Sequence, residues 1–244
     1  MSAAALAWRQ FRFERRLFWR NPSAAFFNFL LPLVLLLLVA TVFASDSKEL
    51  DVLIPGIAGM SVMATTFTAL AFNITFLREQ GILKRVRGTP LPSASYFGGL
   101  LGSAVANAVV QVLLVVALGH VLYGVDWPHD VPELAVFTAL GVTAFGALGI
   151  AFSHAIPNFD SAPAYVNAIF LPAIFISGVF YSTDSLPRAL DAAAQALPLK
   201  HVIDGFSGAI VSGSGLGSHL TALAVIAGWA AAGILLALRY FRWE

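Results

Sequence analysis

The 244-residue chain has no cysteine, and only 11% of its residues are charged. Without cysteine there is no disulfide framework, no thiolate metal site and no thiol nucleophile. The shortage of charge excludes an ordinary soluble domain, in which about a quarter of residues are charged. Motifs for common chemistries are missing too. No phosphate-binding GxxxxGK[ST] loop occurs, so the chain does not hydrolyse ATP by that route, and no HExxH zinc motif is present. The five histidines, His120, His129, His154, His201 and His219, are scattered without metal-ligand spacing. Gly213-Ser214-Gly215 lacks the strand–turn–helix context of a nucleophile elbow, and 211–218 reads as a flexible linker.

What the chain has is apolar length, with 59% hydrophobic residues. A bilayer core needs about 20 apolar residues in a helix. Six uncharged stretches meet that need: 24–44, 53–77, 99–123, 134–156, 164–182 and 217–238. The expected fold is therefore an all-α membrane protein with six transmembrane helices. The first stretch is too long, and begins too late, to be a cleaved signal peptide. Basic residues orient the set, because Lys and Arg stay cytoplasmic. With the N-terminus inside, eleven of the fourteen Lys and Arg fall on inner segments; Lys48, Arg188 and Lys200 are outside. Both termini are thus expected in the cytoplasm.

The chain divides into an N-terminal segment, 1–21, and a six-span domain, 22–244. On a helical wheel, Trp8, Phe11, Phe18 and Trp19 gather on one side of the N-terminal segment. Arg9, Arg16 and Arg20 gather on another, the pattern of an amphipathic helix lying in the headgroup layer. Residues 78–92 form the most charged inner loop, in which Arg78–Arg87 is expected to be a short helix ended by Gly88. Residues 184–210 hold two amphipathic pieces divided by Pro198. Both are too short to span, and both are expected to be re-entrant or to lie at the outer interface.

Ion-coupled carriers need ionisable groups within the bilayer, whereas these spans offer Thr, Asn, Gln and Ser. An ion-coupled carrier and a membrane-embedded lipid or peptide enzyme are the competing readings. The first predicts charged or pore-lining stripes, the second paired catalytic groups at one depth. Neither pattern stands out, so the energy for any work should come from another chain.

Three segments carry a resemblance. They are NPSAAFFNFLLPLV at 21–34, REQGILKRVRGTPLP at 78–92, and FISGVFYSTDSLPRALDAAAQALPLKHVIDGF at 175–206. Together they resemble the type 2 permease family of ABC transporters, whose drug-resistance and antibiotic-export members are of this size. Ser207 departs from the pattern, since the family often has Arg there. The resemblance implies a permease of an ATP-driven exporter for a hydrophobic or amphipathic substrate such as a drug, an antibiotic or a lipid-like molecule. It implies no cofactor on this chain; ATP and magnesium would be held by a separate ATPase present in two copies. A second permease, expected to be a copy of this chain, completes the unit, and no nucleic acid is involved. By the same likeness, Arg78, Glu79, Gly81, Lys84, Arg85 and Arg87 are candidates for coupling to the ATPase. Phe67, Phe72, Asn73, Asn167, Phe170 and Phe175 are candidates for the substrate path along the second and fifth spans. The high alanine content suggests a GC-rich bacterial genome, and the resemblance implies a bacterial inner-membrane protein with several spans.

Overall fold

Apolar runs of Leu, Val, Ala and Ile without charge can satisfy their backbone groups in a membrane only as helices or closed barrels. The computed structural model describes residues 2–43, 47–183 and 186–240, and among them it is all helical, with no strand. The expected end of the first span at Ala44, the start of the outer segment at Asp184, and Arg242 lie outside the described residues.

In chain order the helices are α1 (Ala3–Trp19), α2 (Pro22–Phe43), α3 (Ser47–Met63), α4 (Ala69–Glu79), α5 (Ile82–Arg87) and α6 (Ser93–Tyr123). They continue with α7 (Val131–Phe152), α8 (Ala162–Ile176), α9 (Arg188–Ala196), α10 (Pro198–Ser207) and α11 (Leu220–Tyr240). Four helical stretches are long and apolar enough to cross a membrane: Lys48–Glu79, Ser93–Tyr123, Val131–Phe152 and Leu216–Tyr240. Two shorter apolar stretches, Asn28–Val42 and Ala162–Ile176, accompany them.

The stretch Lys48–Glu79 is continuous but not uniform. Between α3 and α4 it widens into a π turn, Ala64–Thr68. Hydroxyls account for the widening. Ser61, Thr65 and Thr66 each donate to the carbonyl four residues back, on Ile57, Ser61 and Val62. Such bonds compete with the backbone ladder and distort it. A close neighbour lies against the widened turn: a Cβ on Gly149 of α7 would sit 2.6 Å from the Phe67 carbonyl oxygen. Only glycine allows that approach.

The ends of several spans depart from expectation. Helix α7, over the fourth expected span, ends at Phe152 rather than Ile156, and turns follow at 153–161. The fifth has 15 residues, with Pro172 inside it and its last turn closing at Ser177. At 1.5 Å per residue that is about 22 Å, short of a bilayer core.

Helix α1 lies along α6, where the Ser95 hydroxyl donates to the Ala3 carbonyl. Helix α7 packs most extensively on α11. Helix α8 stands at the margin, meeting mainly α4 and α9. Helix α10 is in the interior, against α3, α7 and α11, with Leu199, Val202 and Phe206 almost wholly buried. Nor is 211–218 a plain flexible linker: a π turn covers Gly208–Ser212 and a 3-10 turn covers Leu216–His219.

Candidate functional site

At the end of α4 the chain breaks. Gln80 closes the helix, and Gly81 takes φ +66° in open space, a conformation that side chains disfavour. The helix expected over Arg78–Arg87 is therefore two pieces. Arg78 and Glu79 belong to the long helix, and the short helix is Ile82–Arg87 alone. Leu83 is fully buried and anchors it, while Lys84, Arg85 and Arg87 are exposed. Gly88 ends the short helix, its N–H donating to the carbonyls of Arg85 and Lys84.

The two charged residues before the break both bond to the α7–α8 connection, Arg78 from a half-buried position and Glu79 at the exposed surface. The Arg78 guanidinium donates to the carbonyl of Ser153 at 3.0 Å and to that of Ile156. The Glu79 carboxylate accepts the N–H of Phe159 at 2.6 Å. One arginine fork and one carboxylate thus tie the end of α4 to the α7–α8 connection. The six candidate coupling residues divide accordingly: Arg78 and Glu79 hold the chain together, Gly81 turns it, and Lys84, Arg85 and Arg87 face outward.

The candidate path residues do not converge on one surface. Phe67 is buried, stacks on Phe152 at 5.5 Å between ring centres, and lines a cavity of about 840 Å³. That cavity lies among the π turn, α7, α8, α10 and α11, and its walls include Phe145, Ile169, Leu199 and Trp229. Arg78, His154 and Tyr240 contribute its polar groups. Phe72 and Asn73 line a different cavity of about 580 Å³, among α1, α2, the π turn with α4, and α6. Asn167 and Phe175 are exposed on α8, and Phe170 is half-buried.

A further cluster was overlooked in the sequence. Glu133, in the first turn of α7, is fully buried, and neither carboxylate oxygen has a hydrogen-bond partner. The spacing Asp130-x-x-Glu133 reads as a capping box. Asp130 does accept the Glu133 N–H at 2.9 Å. The reciprocal bond is missing because the Asp130 N–H donates to the Ala209 carbonyl. The carboxylate instead faces His219 at 3.7 Å, and the same ring nitrogen, Nε2, lies 2.8 Å from the Ser214 hydroxyl. A nucleophilic relay needs hydroxyl and carboxylate on opposite ring nitrogens. Here both meet Nε2, so the trio is not arranged for acyl transfer. Among the described residues, no group of three or more His, Cys, Asp or Glu is placed to hold a metal ion.

Comparison with known proteins adds to this geometry. Residues 2–211 match the model of the ABC-2 type transporter family. Nodulation protein J of Rhizobium leguminosarum bv. trifolii is 32% identical over 102 residues, which cover 42% of this chain and 37% of that protein. The daunorubicin resistance ABC transporter permease protein DrrB1 of Streptomyces coeruleorubidus is 29% identical over 185 residues, 70% of this chain and 63% of that one. The linearmycin resistance permease protein LnrN of Bacillus subtilis is 21% identical over 159 residues, 64% of this chain and 41% of that one. The chain thus spans less than two thirds of the length of each of these relatives.

Proposed function

The chain belongs to the ABC-2 type transporter family, whose members are transmembrane transport subunits served by a separate ATPase, and we propose that it is the permease half of an ATP-driven exporter. The substrate is a hydrophobic or amphipathic molecule. Relatives named for daunorubicin and linearmycin resistance support a drug or antibiotic. The four long apolar helices and the two shorter ones make six spans in a bacterial inner membrane, with both termini in the cytoplasm. Two copies of the chain and two ATPases, which hold ATP and magnesium, form the working unit. A six-span chain is a natural half of a closed two-fold unit.

One observation carries this reading. A short, outward-charged helix, α5, follows a sharp glycine turn directly from the end of a long apolar helix, and that end is bonded to the next inner connection. Lys84, Arg85 and Arg87 are the groups that meet the ATPase. Arg78 and Glu79 pass its motion to α7 and α8 through the Ser153, Ile156 and Phe159 backbone. Substrate moves along the second and fifth spans, where Phe72 and Asn73 line one cavity and Phe67 another, with Phe170 and the exposed Asn167 and Phe175 on α8.

The test is affinity purification from native membranes in mild detergent, followed by ATPase assay and mass spectrometry. A Walker-motif ATPase should co-purify, and charge reversal at Lys84 and Arg85 should release it while leaving expression intact. A clean preparation with no ATPase would sink the reading.

Glu133 favours a second reading, an ion-coupled carrier, since a carboxylate buried in an apolar helix is what ion coupling requires. In that case transport would follow the pH gradient, and Glu133→Gln would abolish this dependence. Transport driven by ATP and insensitive to an uncoupler excludes it.

A further inference from the structure

The 580 Å³ cavity differs in chemistry from the rest of the interior. Asn28, Thr65, Thr68, Asn73, Ser103 and Asn107 give it a ring of neutral polar side chains. Phe72, Pro32 and Leu100 supply apolar wall between them. Two of the polar atoms, Asn28 Nδ2 and Thr68 Oγ1, are shut off from solvent and have no hydrogen-bond partner.

One charged side chain lines this space. Glu14, from the α1 helix, is there, and among the described residues no Lys or Arg is. Its carboxylate accepts the Gln10 amide at 2.7 Å and lies near the buried phenol of Tyr96. The adjacent Arg15 turns to the Asn107 amide oxygen, and its guanidinium lies 5.7 and 5.6 Å from the ring centres of Phe18 and Trp19. The cavity therefore offers a carboxylate with spare acceptor sites, neutral hydrogen-bonding groups and aromatic surface. Its volume is within the roughly 300–1,000 Å³ common for small-molecule sites.

We propose that this cavity binds an amphiphile carrying one protonated amine, with the ammonium on the Glu14 carboxylate and the apolar body against Phe72 and the α2 wall. Glu14 is half-buried, and a carboxylate partly withdrawn from water gains from a positive partner, which an ammonium supplies. An anionic ligand would meet that carboxylate, while the nearby Arg15 guanidinium is already held by the Asn107 amide oxygen. The Asn and Thr groups serve ether, carbonyl or hydroxyl oxygens on the ligand body. The inference deepens the exporter reading, and as a statement about cargo it rests on that reading. It names the cargo as cationic and its entry as the pocket beneath the N-terminal helix.

A zwitterionic phospholipid headgroup also carries an ammonium, but it brings a phosphate for which the cavity has no cation. The proposal therefore commits to a free amine. The experiment uses the full chain in phosphatidylcholine nanodiscs, with dansylcadaverine as the amine probe and N-acetyl dansylcadaverine as its neutral twin. Fluorescence titration should give saturable binding of the amine and about tenfold or weaker binding of the acetylated form. Glu14→Gln should remove most of the difference between the two probes. Ala69→Phe, which places a ring in the cavity, should remove binding of both. Equal affinity of wild type and Glu14→Gln for the amine would overturn the assignment. Full displacement by added phosphatidylethanolamine would overturn the free-amine source in favour of a lipid headgroup. Failure of the exporter reading is separately visible: saturable amine binding with no co-purifying ATPase leaves the site standing and removes its role in export. Conversely, ATP-driven efflux with probe binding indifferent to Glu14 removes the site and leaves the exporter.

Discussion

Phe67 and Thr68 are neighbours on the π turn, yet they line different cavities. Phe67 faces the larger cavity among rings and aliphatic chains, with Phe145, Phe152 and Trp229 around it. Thr68 faces the smaller one, with Asn28, Asn73 and Glu14. Successive residues on a helix point about 100° apart, so one helix can serve two spaces of opposite character. The larger space suits any apolar chain. The smaller one has a definite charge and a fixed set of donors and acceptors, so it is the one able to discriminate between ligands.

The sharpest way to break this comparison is to move the shared wall. Gly149→Val sets a branched side chain against the Phe67 backbone, which cannot yield as a flexible side chain would. The cost should reach the upper end of overpacking, about 3 kcal/mol. Thermal unfolding in detergent should show a lower midpoint and a smaller folded yield. An unchanged midpoint would mean that the helix-to-helix approach at the π turn is not tight.

Filling one cavity at a time comes next. Ala69→Phe fills the smaller space and Ala151→Phe the larger. The first should lower drug efflux from vesicles by about tenfold or more, since a ring takes the place of ligand. The second should cost no more than about 1–3 kcal/mol of stability and leave amine binding as it was. The reverse outcome would assign the cargo to the apolar space.

Arg78 is at the edge of the larger cavity and also holds the α4 end to Ser153 and Ile156. Arg78→Lys keeps the charge but loses the planar fork. The expected cost is about 1.5–3 kcal/mol, the range for a hydrogen bond to a charged group. If α4 and the α7–α8 connection move as one piece, ATP hydrolysis should also become less responsive to substrate. Coupling that survives the Lys substitution intact would leave Arg78 with a purely local role.

The legibility of these features in the sequence varied with their range. The long apolar helices were plain, because uncharged runs and basic inner segments are properties of the chain itself. The amphipathic α1 was legible for the same reason, and Trp8 stacks on Phe11 at 5.0 Å as the wheel suggested. The π turn was not legible. It depends on which hydroxyls bond backward, and Thr and Ser do this only in some rotamers. The period of α10 was visible, but its burial among α3, α7 and α11 was not, since amphipathic spacing does not say what covers the apolar face. The bonds of Arg78 and Glu79 were not legible because their partners, at Ser153, Ile156 and Phe159, are more than 70 residues away. Glu133 was not legible because its burial depends on distant neighbours, and the Asp130 N–H that a local cap would use goes to the Ala209 carbonyl, 79 residues on.

The smallest expected effect concerns Glu14 without ligand. Burial raises its carboxyl above the usual carboxylate range, and the Gln10 amide offsets only part of that. A carboxyl whose folded value is raised holds its proton more tightly in the native state than in the unfolded chain. The native state is therefore favoured at acid pH and loses that advantage as pH rises from the ordinary value towards the folded one. Glu14→Gln removes the ionisation and keeps an acceptor for Gln10. Its unfolding midpoint should match wild type at acid pH and lie slightly above it at neutral pH, by an amount that levels off once Glu14 is fully ionised. Adding the amine probe should raise the wild-type midpoint at neutral pH and leave the Gln variant unmoved. Those two shifts, opposite in which protein gains, separate a carboxylate kept for a cationic ligand from one that merely packs beside α6.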